Sequence, residues 1–334
     1  MNASSQFSRR RFTAVVVAMS VAALAGFSAP AMAQSKYPTR PVTIILPFGT
    51  GGVSDIAARL ISEKLEDSLG QRFLVDNQPG AGGAVATQKA FKGDKEGYTL
   101  LNMGNSATIR RTLMPNQKPD QITDFQPISP VAEFGLVVVA SPQSGIESVQ
   151  DLVKKAKANP GKINIGSVAV GSTQHLSSLL FATVAGIKVE IVTYNSTPEL
   201  MGAVARGEVD VALEIVSGAM SPIKTKQVKL IATTRSKRSP VYPDTPTVEE
   251  SGVAPFDVSS WNSYVAPKGV PDQVKQKLNA EIQRIIDQPD IREKMLSFGM
   301  EPFHGGPDVV SQRIQADVAK WESVIKASGM PIEQ

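Results

Sequence analysis

The stretch LPFGTGGVSDIAARLISEKL, residues 46–65, constrains this chain more than any other. A short apolar run, 42–46, meets a glycine-rich loop. Ile56, Leu60, Ile61, Leu65 and Leu69 then recur at helical spacing until Gly70 stops them. Continuous apolar runs suit strands buried on both faces, and the change of period marks a strand-loop-helix unit. The unit recurs. Residues 73–75 lead through NQPGAGG (77–83) to the helix-prone AVATQKAF, and 98–101 end at Gly104, Asn105 and Ser106. Residues 163–165 lead through GSVAVGSTQ (166–174) to Leu176, Leu179 and Leu180. Farther on, 189–192 reach Tyr194, a helix over 197–206 stops at Gly207, and 209–213 end at Glu214. A strand over 230–233 and long amphipathic helices over 271–287 and 307–328 complete the chain. Strands alternating with helices predict an α/β fold of mostly parallel sheets with helices on both faces. In open sheets of that kind ligands sit beyond the carboxyl ends of the strands, where these loops gather.

Glycines let the backbone approach a ligand closely, and the first turn of the following helix offers free N–H groups and positive dipole charge. Such a loop suits an anion, either a nucleotide phosphate or a carboxylate, the alternative being a simple tight turn. Neither G-x-x-x-x-G-K-[ST] nor G-x-G-x-x-G is present, and the Asp55 carboxylate would repel a triphosphate. Asp55 equally suits the N-terminus of its own helix, and Phe48 equally suits a core.

Arg9, Arg10 and Arg11, an apolar run over 13–27, and Ala31-Met32-Ala33 follow the plan of a cleaved export signal, so the exported chain is expected to begin at Gln34. SRRRF (8–12) resembles the twin-arginine motif, although basic residues also begin general secretory signals. The expected location is the periplasm. Removing those three arginines takes the net charge from +4 to +1, and no basic-aromatic stripe points to nucleic acid. With no cysteine there is no disulfide, thiolate metal site or lipid anchor.

Together, YPTRPVTIILPFGTGGVSDIAARLISEKLEDSLGQRFLVDNQPGAGG, GEVDVALE, KRSPVYPDTPTVEESG, SSWNSYVAPKGVP and LNAEI resemble the substrate-binding receptors of tripartite tricarboxylate transporters, the Bug proteins, from about residue 37 onward. The resemblance implies a two-lobed periplasmic binding protein, a Venus flytrap, that closes on a small organic carboxylate. Residues 1–33 would be the signal peptide. Lobe 1 would comprise 34–136 and 262–334, and lobe 2 would comprise 137–261, with crossover strands near 135–140 and 259–264. A monomer working with membrane permease subunits is expected.

Mapped onto this chain, the resemblance puts Phe48, Gly51, Gly52, Val53, Ser54 and Asp55 in a first clamp and Pro79, Gly80, Ala81, Gly82 and Gly83 in a second. Asn105 and Ser106 lie at a neighbouring strand end. From the other lobe, Ser167, Gly171, Ser172 and Thr173 would meet the far end of the ligand, with Tyr194 and Glu214 lining the cleft; His175, near a predicted helix start beside the third loop, would order that loop or the cleft, the alternative being a structural histidine. Glu214 stands where the family pattern has aspartate. Arg110 and Arg111 replace the family's asparagine and proline. A guanidinium there would grip a second carboxylate in bidentate fashion and favour a dicarboxylate or aromatic acid; otherwise the arginines form a solvated surface pair.

Catalysis has little support. Only His175 and His304 could serve a Ser-His-Asp site, and no G-x-S-x-G elbow exists. The S-x-x-K runs at Ser221 and Ser323 lack their S-D-N and K-T-G partners. No metal or cofactor pattern is visible. A transport receptor is therefore expected, the alternatives being a ligand-occupancy sensor for a membrane kinase and a carboxylate-processing enzyme.

Overall fold

The computed structural model describes residues 37–333. The expected signal peptide and its cleavage site lie outside the described residues. From Pro38 onward the chain forms one compact unit.

The first half opens as the periodicity predicts. Strands β1 (Val42–Leu46), β2 (Phe73–Asn77) and β3 (Thr99–Gly104) pair in parallel, β1 in the middle. They alternate with helices α1 (Val53–Leu69), α2 (Ala84–Phe91) and α3 (Asn105–Leu113). The apolar positions predicted for α1 include Ile61 and Leu65, both fully buried, and the helix packs against β2.

The sixteen-residue β4 (Phe125–Ala140) then runs through the whole molecule. Its first part, through Gly135, pairs antiparallel with β9 (Ser259–Pro267), which in turn pairs antiparallel with β3. From Leu136 it changes partners and pairs antiparallel with β7 (Val211–Ile215) and β8 (Lys229–Thr233). Beyond β7 lie β5 (Asn164–Val168) and β6 (Glu190–Tyr194), again parallel. Thus β1 to β3 are parallel among themselves, as are β5 to β7, while β4, which pairs in both halves, and β9 meet their neighbours antiparallel. Alternating strand and helix signals do not report the reversal at β9, because it is reached from β8 through the helix-free stretch 234–258, whereas β4 follows β3 and α3 and runs in the direction of β3.

Helices α4 (Val149–Ala158), α5 (Thr173–Ala185), α6 (Thr197–Arg206) and α7 (Val216–Lys224) cover the second half. Ser148, Ser172 and Ser196 cap the first three with their hydroxyls, each accepting the N–H three residues on. The C-terminal region adds α8 (Asp272–Ile286), α9 (Pro289–Ser297), the short β10 (Glu301–Pro302) and α10 (Pro307–Ser328). The last helix reaches both halves. Val310 and Ile314 join the apolar core around Ile45, Leu101 and Trp261, whereas Trp321, Val324 and Ile325 join the one around Leu136, Phe181 and Leu213.

An ion cluster fastens the place where β4 changes partners. Glu133 receives Arg313 Nη1 at 2.7 Å, Arg235 Nη2 at 2.8 Å and Ser259 Oγ at 2.6 Å. Burial pushes the Glu133 carboxyl up, but the Arg235 charge and the bonds from Ser259 and Arg313 outweigh it and hold the group below its ordinary range.

Candidate functional site: a cleft of helix N-termini

The loop after β1 is cinched from within. Asp55, on the first turn of α1, accepts Gly51 N at 3.0 Å, Asn77 Nδ2 at 3.0 Å and Arg59 Nε at 3.0 Å. Asn77 also donates to the Phe48 carbonyl at 3.1 Å, so the end of β2 holds the loop of β1. The buried Asn262 of β9 donates to Ser54 Oγ at 3.0 Å. Asp55 is therefore occupied in shaping the loop.

Beside this loop lies a cavity of about 440 Å³. The first turns of three helices border it: Gly52 to Ser54 of α1, Gly104 to Ser106 of α3, and Ser172 to Gln174 of α5. Phe48, Phe134, Ile215 and Trp261 supply apolar wall, and Ser260 and Asn262 supply polar wall. Among the described residues, no charged side chain borders it. Each helix N-terminus offers unpaired N–H groups and about half a positive charge, so three together can hold an anion without an arginine. A second cavity of about 1150 Å³ adjoins it, sharing Thr50, Gly52, Val53, Gln174 and Ile215 and continuing along α6 and α7. Among the described residues, Glu214 is its single charged lining residue.

Matched to models of known families, residues 57–330 fit the tripartite tricarboxylate transporter family receptor. The chain belongs to that receptor family. BugT of Bordetella pertussis is 31% identical over 93% of this chain and 96% of its own length. The structure of R. palustris Rpa4515 with adipate superposes with a TM-score of 0.77 at 30% identity, covering 88% of this chain and 98% of that one. MatC from Rhodopseudomonas palustris with bound malate gives 0.73 at 28% identity, over 86% and 100%. The fold is accordingly that of a two-lobed periplasmic binding protein, and the family is one of solute receptors and not of enzymes.

Among the residues singled out from the sequence of this receptor, Phe48, Gly52, Val53, Ser54, Asn105, Ser106, Ser172 and Thr173 border the smaller cavity. Gly51 and Glu214 border the larger one. Ser167, Gly171, His175 and Tyr194 border neither. Ser167 is buried and donates to the Val168 carbonyl, and Gly171 faces Leu113. The His175 ring is almost wholly buried, Nδ1 has no partner, and burial pushes its pKa down. Tyr194 packs against the core around Val137 and Leu200.

The second glycine-rich loop, Pro79 to Gly83, also borders neither cavity. It ends in a tight 3-10 turn at Ala81–Gly83, and Arg110 lies behind it. Arg110 Nη1 donates to the Ala81 carbonyl at 3.3 Å, and desolvation lowers the guanidinium's pKa. Gly83 has φ +98°, a conformation that favours glycine, and a Cβ there would stand 2.6 Å from Arg110 Nη2 and 3.1 Å from Pro47 Cβ, so a larger residue would displace the guanidinium. Arg111 pairs with the buried Asp120 at 2.6 Å.

Sequence reasoning passed over Thr50, Phe134, Gln174, Ile215, Ser260, Trp261 and Asn262, all lining the smaller cavity. A signal existed for the residues on β9: SSWNSY places serines and an asparagine in a strand whose every residue is buried. Buried polar side chains in a strand need partners or a ligand.

Proposed function

We propose that this receptor captures a small organic carboxylate in the periplasm and delivers it to the membrane permease of a tripartite tricarboxylate transporter. The carrying observation is the cavity bordered by three helix first turns and, among the described residues, by no charged side chain. One carboxylate sits at those N–H groups, with hydroxyls and ordered water completing its shell. Its carbon skeleton lies against Phe48, Phe134 and Trp261, which suits aliphatic chains and aromatic rings alike. The relatives seen with adipate and malate support a carboxylate ligand here.

In this reading residues 34–136 with 262–334, and 137–261, are the lobes that close on the ligand, and residues 1–33 direct export. Phe48, Gly51 to Asp55, Asn105, Ser106, Ser172 and Thr173 form the binding wall. Pro79 to Gly83 form a supporting loop, with Arg110 acting from behind it.

A thermal-melt screen tests the reading. The exported form is partly unfolded and refolded to strip carried-over ligand, then heated with mono-, di- and tricarboxylates, aromatic acids and amino acids. A ligand at one hundred times its dissociation constant adds about 2.7 kcal/mol, enough for a clear shift. A shift confined to one class of carboxylate is expected; no shift with any acid would sink the proposal. Co-purification of permease subunits with the liganded receptor tests the transport role.

A further inference from the structure

Glu214 is buried to 1% exposure at the end of β7, yet both of its oxygens are engaged. Oε1 accepts Gln174 Nε2 at 2.8 Å and Ile215 N at 2.7 Å, and Oε2 accepts Thr197 Oγ1 at 3.0 Å. Because Oε1 already accepts the Ile215 N–H, it faces Gln174 as an acceptor and fixes which way that amide points: nitrogen toward Glu214, oxygen away. Gln174 is 7% exposed, and it borders both cavities. Its amide oxygen receives no hydrogen bond from the described residues, and it is not among the polar atoms sealed away without a partner. It is thus an acceptor open to the cavity, held in place by a buried carboxyl whose pKa burial pushes up against the bonds from Gln174, Ile215 N and Thr197.

We propose that Gln174, positioned by Glu214, reads a hydrogen-bond donor on the ligand. The receptor would then favour a carboxylate that also carries a hydroxyl or amino group over one that ends in bare hydrocarbon or a second ionised carboxylate. This rests on the receptor reading above and narrows its ligand class. The cleft has two chemically opposite ends. Helix first turns offer donors to the carboxylate, and Gln174 offers an acceptor. A ligand hydroxyl or amine satisfies the amide oxygen. A methyl group leaves that oxygen desolvated and unpaired, and a second ionised carboxylate sets two acceptors against each other.

The test is calorimetric titration of the purified receptor with matched acids: hexanoate, 6-hydroxyhexanoate, 6-aminohexanoate and hexanedioate, and the four-carbon counterparts of each. In the native protein the hydroxy or amino acid is expected to bind about tenfold tighter than the unsubstituted acid of equal length. Gln174→Met, which keeps the side-chain length and removes the amide, should bring that ratio to within about twofold. Glu214→Gln should also compress the ratio, because an amide at 214 no longer dictates the orientation at 174. A purely structural role for either residue would lower all affinities together and leave the ratio intact. A ratio near one in the native protein, or one unchanged in Gln174→Met, overturns the proposal while the receptor reading stands. If no carboxylate binds at all, the receptor reading falls and this proposal falls with it.

Discussion

The indole Nε1 of Trp321 donates to Oδ1 of Asn105 at 2.7 Å, and both side chains are buried. Asn105 Nδ2 passes the chain on to Thr173 Oγ1 at 3.1 Å. Three helices are thereby joined at the wall of the smaller cavity: α10 through Trp321, α3 through its first residue, and α5 through its first residue. The last helix of the chain thus ties together two helix N-termini that border the smaller cavity.

Trp321→Phe tests this coupling. The change removes a buried donor and some ring volume, so unfolding in urea should show a loss of about 1–3 kcal/mol. Ligand affinity should fall as well, although Trp321 is not in the cavity lining. Unchanged affinity in a folded variant would show that the three-helix chain stabilises the fold without organising the cleft.

Asp55 carries a prediction about pH. Burial pushes its carboxyl up, but the bonds from Arg59, Gly51 N and Asn77, with the Arg59 charge, outweigh that and leave the folded pKa below the ordinary 3.8. As pH falls, the unfolded chain therefore takes up this proton before the folded one. The stabilisation is present above 3.8 and is lost as pH falls through the lowered folded value. Asp55→Asn should cost about 1–3 kcal/mol at pH 7, with little of it from the half-exposed Arg59. That deficit should shrink toward zero in very acid buffer, as read from denaturant curves across pH.

Gly104 is held close to a backbone. A Cβ at this position would stand 2.3 Å from the Trp261 carbonyl oxygen, across the pairing of β3 with β9. No side chain can turn aside to relieve the clash. Gly104→Ala should lower stability by about 1–3 kcal/mol and narrow the cavity wall, seen together as a lower melting temperature and weaker binding.

Arg110→Ala separates two roles for that guanidinium. From its place behind Ala81 and Gly83 it supports the second glycine-rich loop. Removing it should weaken mono- and dicarboxylates by equal factors. A loss confined to dicarboxylates in parallel titrations would instead place the guanidinium on the ligand.

Some of the architecture was legible at short range. The apolar run before Pro47, the glycines, and the helical spacing from Ile56 to Leu69 specify β1, its loop and α1, because each depends only on neighbours in the chain. The same logic located β5, α5 and α6, and it placed Ser172 at a helix start. It misjudged detail where partners decide an end: Glu214 lies within β7, and α9 was not seen between the two long helices.

By itself, then, the sequence determined the strand-loop-helix units and the donor-rich helix starts that select an anion. Family resemblance, carried by whole motifs, pointed to the receptor. Only the tertiary structure decided which of those starts meet. It set α1, α3 and α5 around one cavity, left the second glycine-rich loop outside it, and brought Phe134, Trp261 and Asn262 in from β4 and β9. It also turned Gln174 toward Glu214, forty residues away. The physical reason is range. Periodicity and capping record interactions within a few residues, whereas the cavity is made by contacts across hundreds, and packing selects those only once the sheets have assembled.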